Sequence, residues 1–383
     1  MCKEMRKEMR KETCKAMRKE LLMVVVSTLI GLLLLEGGVR LYYGIKDRLP
    51  PHADPATRDE WDWIRTHQSS QIPASEAMAG FDSQLGWTLS ADIDSWVRQK
   101  GHGLPKGDLT TPTDQERFLF IGDSFTQGLY VEDRENFAWL FGARHHPDAQ
   151  VLNLGVSGYG PDQMLLLYES IGRRYHPDVV VMGFYVRGLY RAQSKFTYYA
   201  KPWFETTVDD ALVLHGVPVP APASLIGEYE SGKRAIAGEP YSYLWGALGA
   251  SAYRLVRERR LDTRDDPQWV LMRAILKRFV SATRADGATP ALLIIPSRLE
   301  EFPDSVHADL DRLAIAEACL LGIPAISLAP ALMAAETASV VPTLVPTFRP
   351  RRDGGHLSVR GHEVAAEEIA RVLKNSGNSG CPG

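Results

Sequence analysis

The sequence predicts an α/β protein built on a doubly wound parallel sheet of about five strands, with a large insertion and an N-terminal transmembrane helix. Three observations carry this. Short apolar runs alternate with helical stretches through the C-terminal two thirds of the chain, the pattern of strands buried on both faces. One run, Phe118-Leu119-Phe120-Ile121, leads straight into Gly122-Asp123-Ser124 and a helix start. Far upstream, Leu21 to Leu35 is apolar with only Ser27, Thr28 and Gly31 as weak exceptions.

The strand candidates are Arg117–Ile121, Val151–Leu154, Val179–Gly183, Ala291–Ile295 and Ala325–Leu328. Helical stretches such as Asn136–Ala143 and Gln163–Arg174 separate them, and a last helix covers Glu363–Lys374, with Val364, Ala365, Ile369 and Val372 on its apolar face. Five strands so connected fit a flavodoxin-like order. Gly183 and Ala291 lie roughly a hundred residues apart, far beyond an ordinary crossover. An insertion over about 190–288 is therefore expected, with helices at Tyr241–Arg257 and Trp269–Thr283. It emerges beside the sheet's carboxyl edge, either as a lid or as surface decoration.

The N-terminal part divides into a basic low-complexity tail (1–20), an anchor (21–43) and a linker with decorating strands (44–115), Trp87-Thr88-Leu89 among them. The main domain is expected over 116–375 and a disordered tail over 376–383. The tail repeats Lys-Glu-Met-Arg, and Met17 or Met23 are alternative initiators. The apolar run is short for a span, but Gly37 to Tyr43 extend it, with Glu36 and Arg40 near the far interface. A cleaved signal peptide is the competing reading, yet no small-residue cleavage site follows. Basic residues in front put the N-terminus in the cytoplasm and the body outside.

The 383 residues, 45% of them hydrophobic, suffice for one large α/β domain or two domains. Net charge is −3, which argues against nucleic acid as a partner. The tail holds eight of the 44 basic and four of the 47 acidic residues, so the body carries 36 against 43, a net −7. Four scattered cysteines suggest neither a disulfide framework nor a zinc site, and Cys319 reads as a small core residue. No cofactor or metal is required.

A strand-to-helix turn lies at the carboxyl edge of an α/β sheet, where such folds place their sites. Ser124 would present its hydroxyl there, and its N–H would be one of the unpaired donors of a helix N-terminus. A serine nucleophile needs a histidine within hydrogen-bond reach and a carboxylate to hold the imidazole. Two Asp-x-x-His pairs offer these. Asp304/His307 falls in an amphipathic helix over Phe302–Ala318, where it reads as a solvated ion pair. Asp353/His356 sits in a glycine-containing loop before the last helix and is preferred. His145, His146 and His176 read as loop residues. Ser157 misses a nucleophile elbow because Tyr159 stands where a glycine belongs. Gly155-Val156-Ser157-Gly158 likewise fails the dinucleotide fingerprint.

In these blocks the chain resembles the SGNH/GDSL hydrolase family, over about residues 80–374 and in the layout of its membrane-anchored bacterial branch. Gly122-Asp123-Ser124 is similar to the first block and Asn153-Leu154-Gly155-Val156-Ser157-Gly158-Tyr159-Gly160 to the second. Asp353 and His356, followed by Leu357-Ser358 and Gly361-His362, resemble the last. The resemblance implies Ser124 as nucleophile, His356 as base and Asp353 as its orienting carboxylate. It implies an oxyanion hole from the Ser124 N–H and a second-block glycine, Gly158 in preference to Gly155. The third block departs: the family's asparagine is absent from Gly183-Phe184-Tyr185-Val186-Arg187-Gly188-Leu189, and its position falls on Gly188, or on Arg187 with a slip of one. Either Arg187 substitutes, or the enzyme is slow, or activity is lost.

The expected function is a membrane-anchored, extracytoplasmic serine hydrolase of acyl esters, its substrates O-acyl groups on envelope glycans or lipids. An O-acyltransferase using the same triad and a non-catalytic carbohydrate-binding or assembly module are the alternatives.

Overall fold

The structure, a computed structural model, describes residues 2–45, 59–60, 63–64, 66–67, 80–88, 90–207, 209, 211–233, 242–260, 264–296, 306–338, 343 and 355–375. Its contacts divide the chain into two units. One comprises Met1–Arg58 with Ala235–Leu255; the other comprises Asp59–Arg234 with Val256–Gly383.

The first unit holds α1 (Cys2–Ile45), a single long helix. Its segment Met17–Ile45 contains an 18-residue window of mean hydropathy 2.2, none of it buried, so it is a candidate membrane span by length and composition.

The second unit opens with β1 (Phe81–Asp82) and β2 (Gly86–Trp87), an antiparallel pair. A helix not expected in this stretch, α2 (Ile93–Lys100), follows, started by the Asp92 carboxylate accepting from Ser95 N–H. Then come β3 (Arg117–Gly122), α3 (Ser124–Gln127), α4 (Phe137–His145), β4 (Gln150–Gly155), α5 (Pro161–Ser170) and β5 (Val179–Tyr185). Next are α6 (Leu189–Gln193), the hairpin β6 (Trp203–Thr206) and β7 (Leu212–His215), α7 (Pro222–Glu230), α8 (Tyr243–Arg260) and α9 (Pro267–Ala285). The chain finishes with β8 (Thr289–Ile295), α10 (Val306–Leu320), β9 (Ala325–Ser327), α11 (Ala329–Ala338) and α12 (Val359–Lys374). The part of α8 up to Leu255 belongs to the first unit.

The main sheet is parallel throughout, in the order β4-β3-β5-β8-β9. Its own strands thus run second-first-third-fourth-fifth, the flavodoxin-like order. All five strand candidates lie in it, and each is extended or trimmed by one or two residues at an end. Every residue of β3 and β4 is buried, as expected of strands covered on both faces. Phe118 and Phe120 pack with Phe137 and Phe141 of α4 and with Val364, Ala365 and Ile369 of α12 in one core. Within the stretch expected as insertion, α9 buries Trp269, Leu271, Met272, Ile275 and Phe279 and leads directly into β8. It serves as the crossover helix between the third and fourth sheet strands.

Two readings are corrected. Cys319, read as a small core residue, is half-buried and disulfide-bonded. Pairing depends on which distant segments fold together, which cysteine spacing alone does not reveal. His145 is the last residue of α4 and His146 its C-cap, stacked on Phe141, rather than loop residues.

Candidate active site

The strand order reverses about β3, which has β4 on one side and β5 on the other, so the crevice lies at the carboxyl end of β3. There Gly122 pairs in register with Gly155 of β4 and Gly183 of β5. A Cβ at Gly122 or Gly183 would run into the Thr126 side chain, and one at Gly155 into the backbone at Gln127. Three aligned strand positions without side chains let the short helix α3 fold down onto the sheet. Two buried asparagines fix it there: Asn136 and Asn153 both donate from Nδ2 to the Thr126 carbonyl, at 2.9 and 2.7 Å.

Asp123 is the N-cap of α3, its carboxylate accepting from Phe125 N–H at 3.0 Å. Ser124 follows as the first helical residue, buried to 5% exposure, with Oγ 2.8 Å from Nε2 of His356. The histidine reaches it from just before α12, whose N-cap Ser358 donates its backbone N–H to Thr343 O. Its ring stacks on Phe125 (4.6 Å between centroids), which stacks in turn on Tyr185 (4.8 Å). Tyr130 meets the imidazole edge-on at 5.2 Å, and its φ of +75° is left-handed, rare for a bulky side chain. Burial, aided by the Arg191 charge, lowers the His356 pKa from 6.5 to about 4. The imidazole is therefore neutral at ordinary pH, and with its proton on Nδ1 it accepts the Ser124 hydroxyl proton at Nε2.

Asp353, the expected orienting carboxylate, lies outside the described residues. So do Asp304 and the side chain of His307, the competing pair.

Among the described residues, neither the Ser124 N–H nor the Gly158 N–H makes a hydrogen bond. Gly158 sits at φ +84°, in a loop pinned on either side of it. Ser157 N–H donates to Gln127 Oε1 at 3.0 Å, Trp87 Nε1 donates to Ser157 O at 3.0 Å, and Tyr159 hydroxyl donates to Trp87 O. The Tyr198 ring lies over Gly158 where a Cβ would go. Gly155, the other second-block glycine, differs: its N–H donates to Asn153 Oδ1 at 2.9 Å.

Arg187 lies in a 3₁₀ turn, Val186–Gly188, and its side chain is outside the described residues. One helical turn later stands Arg191, in α6 and outside the family's sequence blocks. Its Nη1 is 3.0 Å from Asp123 Oδ2 and 3.3 Å from Tyr159 O. Burial pushes the Asp123 carboxyl up against the pull of Arg191. Burial works against the guanidinium too, but the Asp123 charge outweighs it and holds Arg191 firmly protonated. The only sequence signal was an arginine on the helix just past the third block. Beneath it, a fully buried Lys201 ammonium meets Asp162 at the start of α5 and donates to Arg191 O at 3.0 Å, tying the α6 region to α5. Among the described residues no group of three or more His, Cys, Asp or Glu side chains could hold a metal ion.

No protein-family model and no curated protein matches the chain. Several solved structures resemble it. TesA shares 15% identity at a TM-score of 0.39, over 68% of this chain and 99% of that one. A protein assigned to the G-D-S-L lipolytic family from Desulfitobacterium hafniense shares 13% at 0.38, over 68% and 100%. Axe2, an acetylxylan esterase from Geobacillus stearothermophilus, shares 16% at 0.40, over 67% and 94%. Each of these likenesses stands at 16% identity or less and a TM-score of 0.40 or less, and none carries a family, an activity or a substrate to this chain.

Proposed function

We propose that the chain is a serine hydrolase of the SGNH/GDSL kind that cleaves acyl esters. The observation that carries this reading is the 2.8 Å approach of Ser124 Oγ to a neutral His356 Nε2, beside two backbone donors without partners. Ser124 Oγ attacks the ester carbonyl carbon while its proton passes to Nε2 of His356. The carbonyl oxygen becomes an oxyanion held by the N–H groups of Ser124 and Gly158. Collapse of the adduct breaks the carbon–oxygen bond, and the imidazolium gives its proton to the departing alcohol. Water attacks the acyl-enzyme by the same proton route, releasing the acid and restoring the serine. In this proposal Asp353 holds the Nδ1 proton and Arg187 is the candidate for a third oxyanion donor. Arg191 is a positioning residue: it holds Asp123, and through it the turn that carries Ser124.

The finer reading places this domain outside a membrane, with α1 as an uncleaved single-pass anchor and the N-terminus cytoplasmic. The basic tail ahead of the apolar run supports this orientation. A disulfide at Cys319 supports it too, since such bonds persist in oxidising compartments. The substrates this position favours are O-acyl groups on envelope glycans or lipids.

The test is labelling of the full-length protein in detergent with a fluorophosphonate, alongside hydrolysis of a short-chain aryl ester. Ser124→Ala is expected to abolish both while the circular dichroism spectrum is unchanged. Equal labelling of the variant would remove Ser124 from the mechanism.

A further inference from the structure

Glu36 lies inside the apolar segment of α1, nine residues before its end at Ile45. A carboxylate within an apolar span, even near its interfacial end, is costly unless its charge is paired and its lone pairs are filled. Glu36 accepts from four donors: Arg40 Nε one turn on (2.6 Å), Ser242 Oγ (2.8 Å), Tyr243 N–H (2.9 Å) and Leu244 N–H (2.8 Å). The two backbone donors belong to the first turn of α8, where N–H groups have no partner within their own helix. A side chain of the anchor therefore caps a second helix, and each relieves the other of unpaired polar groups. Around this contact the Tyr43 and Tyr243 rings meet edge-on at 6.2 Å, and the Arg40 guanidinium lies 4.6 Å from the Tyr243 ring.

From Tyr243 to Tyr253, α8 contains no charged residue. Its Gly246, Ala247, Gly249 and Ala250 are half-buried, whereas Trp245, Leu248, Ala252 and Leu255 are exposed. These four fall at i, i+3, i+7 and i+10, one stripe along the helix. Trp245 is 76% exposed, Leu248 54% and Leu255 60%, an apolar face that begins at the anchor's own depth. Tryptophan and tyrosine are the residues enriched where a bilayer meets water.

We propose that α8 from Tyr243 to Leu255 lies in the same bilayer that α1 crosses, its Trp245-Leu248-Leu255 stripe in contact with phospholipid acyl chains. Glu36 fixes where that helix enters. The inference rests on α1 being membrane-embedded, and the experiment separates the two claims. Full-length protein is reconstituted in phosphatidylcholine/phosphatidylglycerol vesicles containing a phospholipid with a diazirine on its acyl chain. It is then irradiated, and the adducts are mapped by peptide mass spectrometry. Adducts are expected both within Met17–Ile45 and within 243–255, and Leu248→Asp is expected to reduce the second set to background while sparing the first. Labelled α1 with unlabelled 243–255 in the parent chain overturns the inference, as would a dimer contact covering the stripe. No adducts in either segment overturn the anchor itself and the inference with it.

Discussion

Arg191 and Asp123, 68 residues apart in the chain, meet at 3.0 Å with the carboxylate 1% and the guanidinium 13% exposed. The ion pair joins the start of α6 to the turn that carries Ser124. Removing one partner of a buried pair is far more damaging than removing both, because it strands the other charge. Arg191→Met is accordingly expected to destabilise the fold by about 3–5 kcal/mol, and adding Asp123→Asn should restore most of it. Chemical denaturation of the two variants measures this.

The same guanidinium acts on His356, which burial and the Arg191 charge hold at a pKa of about 4. The base is active when deprotonated, so kcat/KM should be flat from neutrality downwards and half-lost near pH 4, not near 6.5. Among the described residues the groups facing the imidazole are Ser124, Phe125, Tyr130, Arg191 and His362, and none of these supplies a negative charge; Asp353, proposed to hold Nδ1, lies outside them. In Arg191→Met the acid limb should move to higher pH, a shift that a merely structural role would not produce. Stability follows with a definite sign. Between 6.5 and about 4 the unfolded chain binds a proton that folded His356 refuses, so stability falls as pH drops through that window. His362, buried and lowered to about 3, adds to the fall in the same direction. A pH-rate profile paired with thermal melts between pH 4 and 8 tests both statements.

Gly158 has two reasons to resist substitution: its φ of +84° and the Tyr198 ring above it. Gly158→Ala must shift the loop and with it the free N–H. A kcat lower by about 10²–10³ is expected, as for loss of one oxyanion donor. Steady-state kinetics on a short-chain aryl ester decide it, and an unchanged kcat would return the role to another donor.

Gly188 stands where the family's asparagine would be, and there is room for one. Its φ of −72° suits any residue, and an added Cβ would meet only the Tyr185 side chain at ordinary contact distance, 3.8 Å. If the third donor position is empty, Gly188→Asn should raise kcat, by at most about 10²–10³. If Arg187 fills it, Arg187→Ala should lower kcat by a like factor while Gly188→Asn does nothing. Measuring both variants on one neutral and one anionic ester separates the two cases.

The sheet was legible because its signal is local. Each strand is a short apolar run, and Val179–Tyr185 or Thr289–Ile295 needs no partner to be recognised as buried. Ser124 was legible for the same reason, since the turn and the helix start lie within a few residues of it. What the sequence hid depends on distant neighbours. Arg191 looks like any surface arginine until the fold sets it against Asp123. Asn136 and Asn153, apparently unrelated, converge on one carbonyl. Glu36 reads as a blemish in an apolar run until Tyr243 and Leu244 arrive to use it.

The wide separation of β5 and β8 also has a kinetic consequence. These strands pair Val179 with Thr289, 110 positions apart, with α6 to α9 between them. At synthesis rates of about 5–20 residues per second, β5 waits roughly 5–20 seconds after emerging before its partner exists. Through that interval the nascent chain carries an open, apolar parallel edge, the kind of surface from which aggregation starts. Lengthening the β5–β8 connection should therefore lower the yield of folded protein in cells more than it lowers the stability of molecules that have already folded.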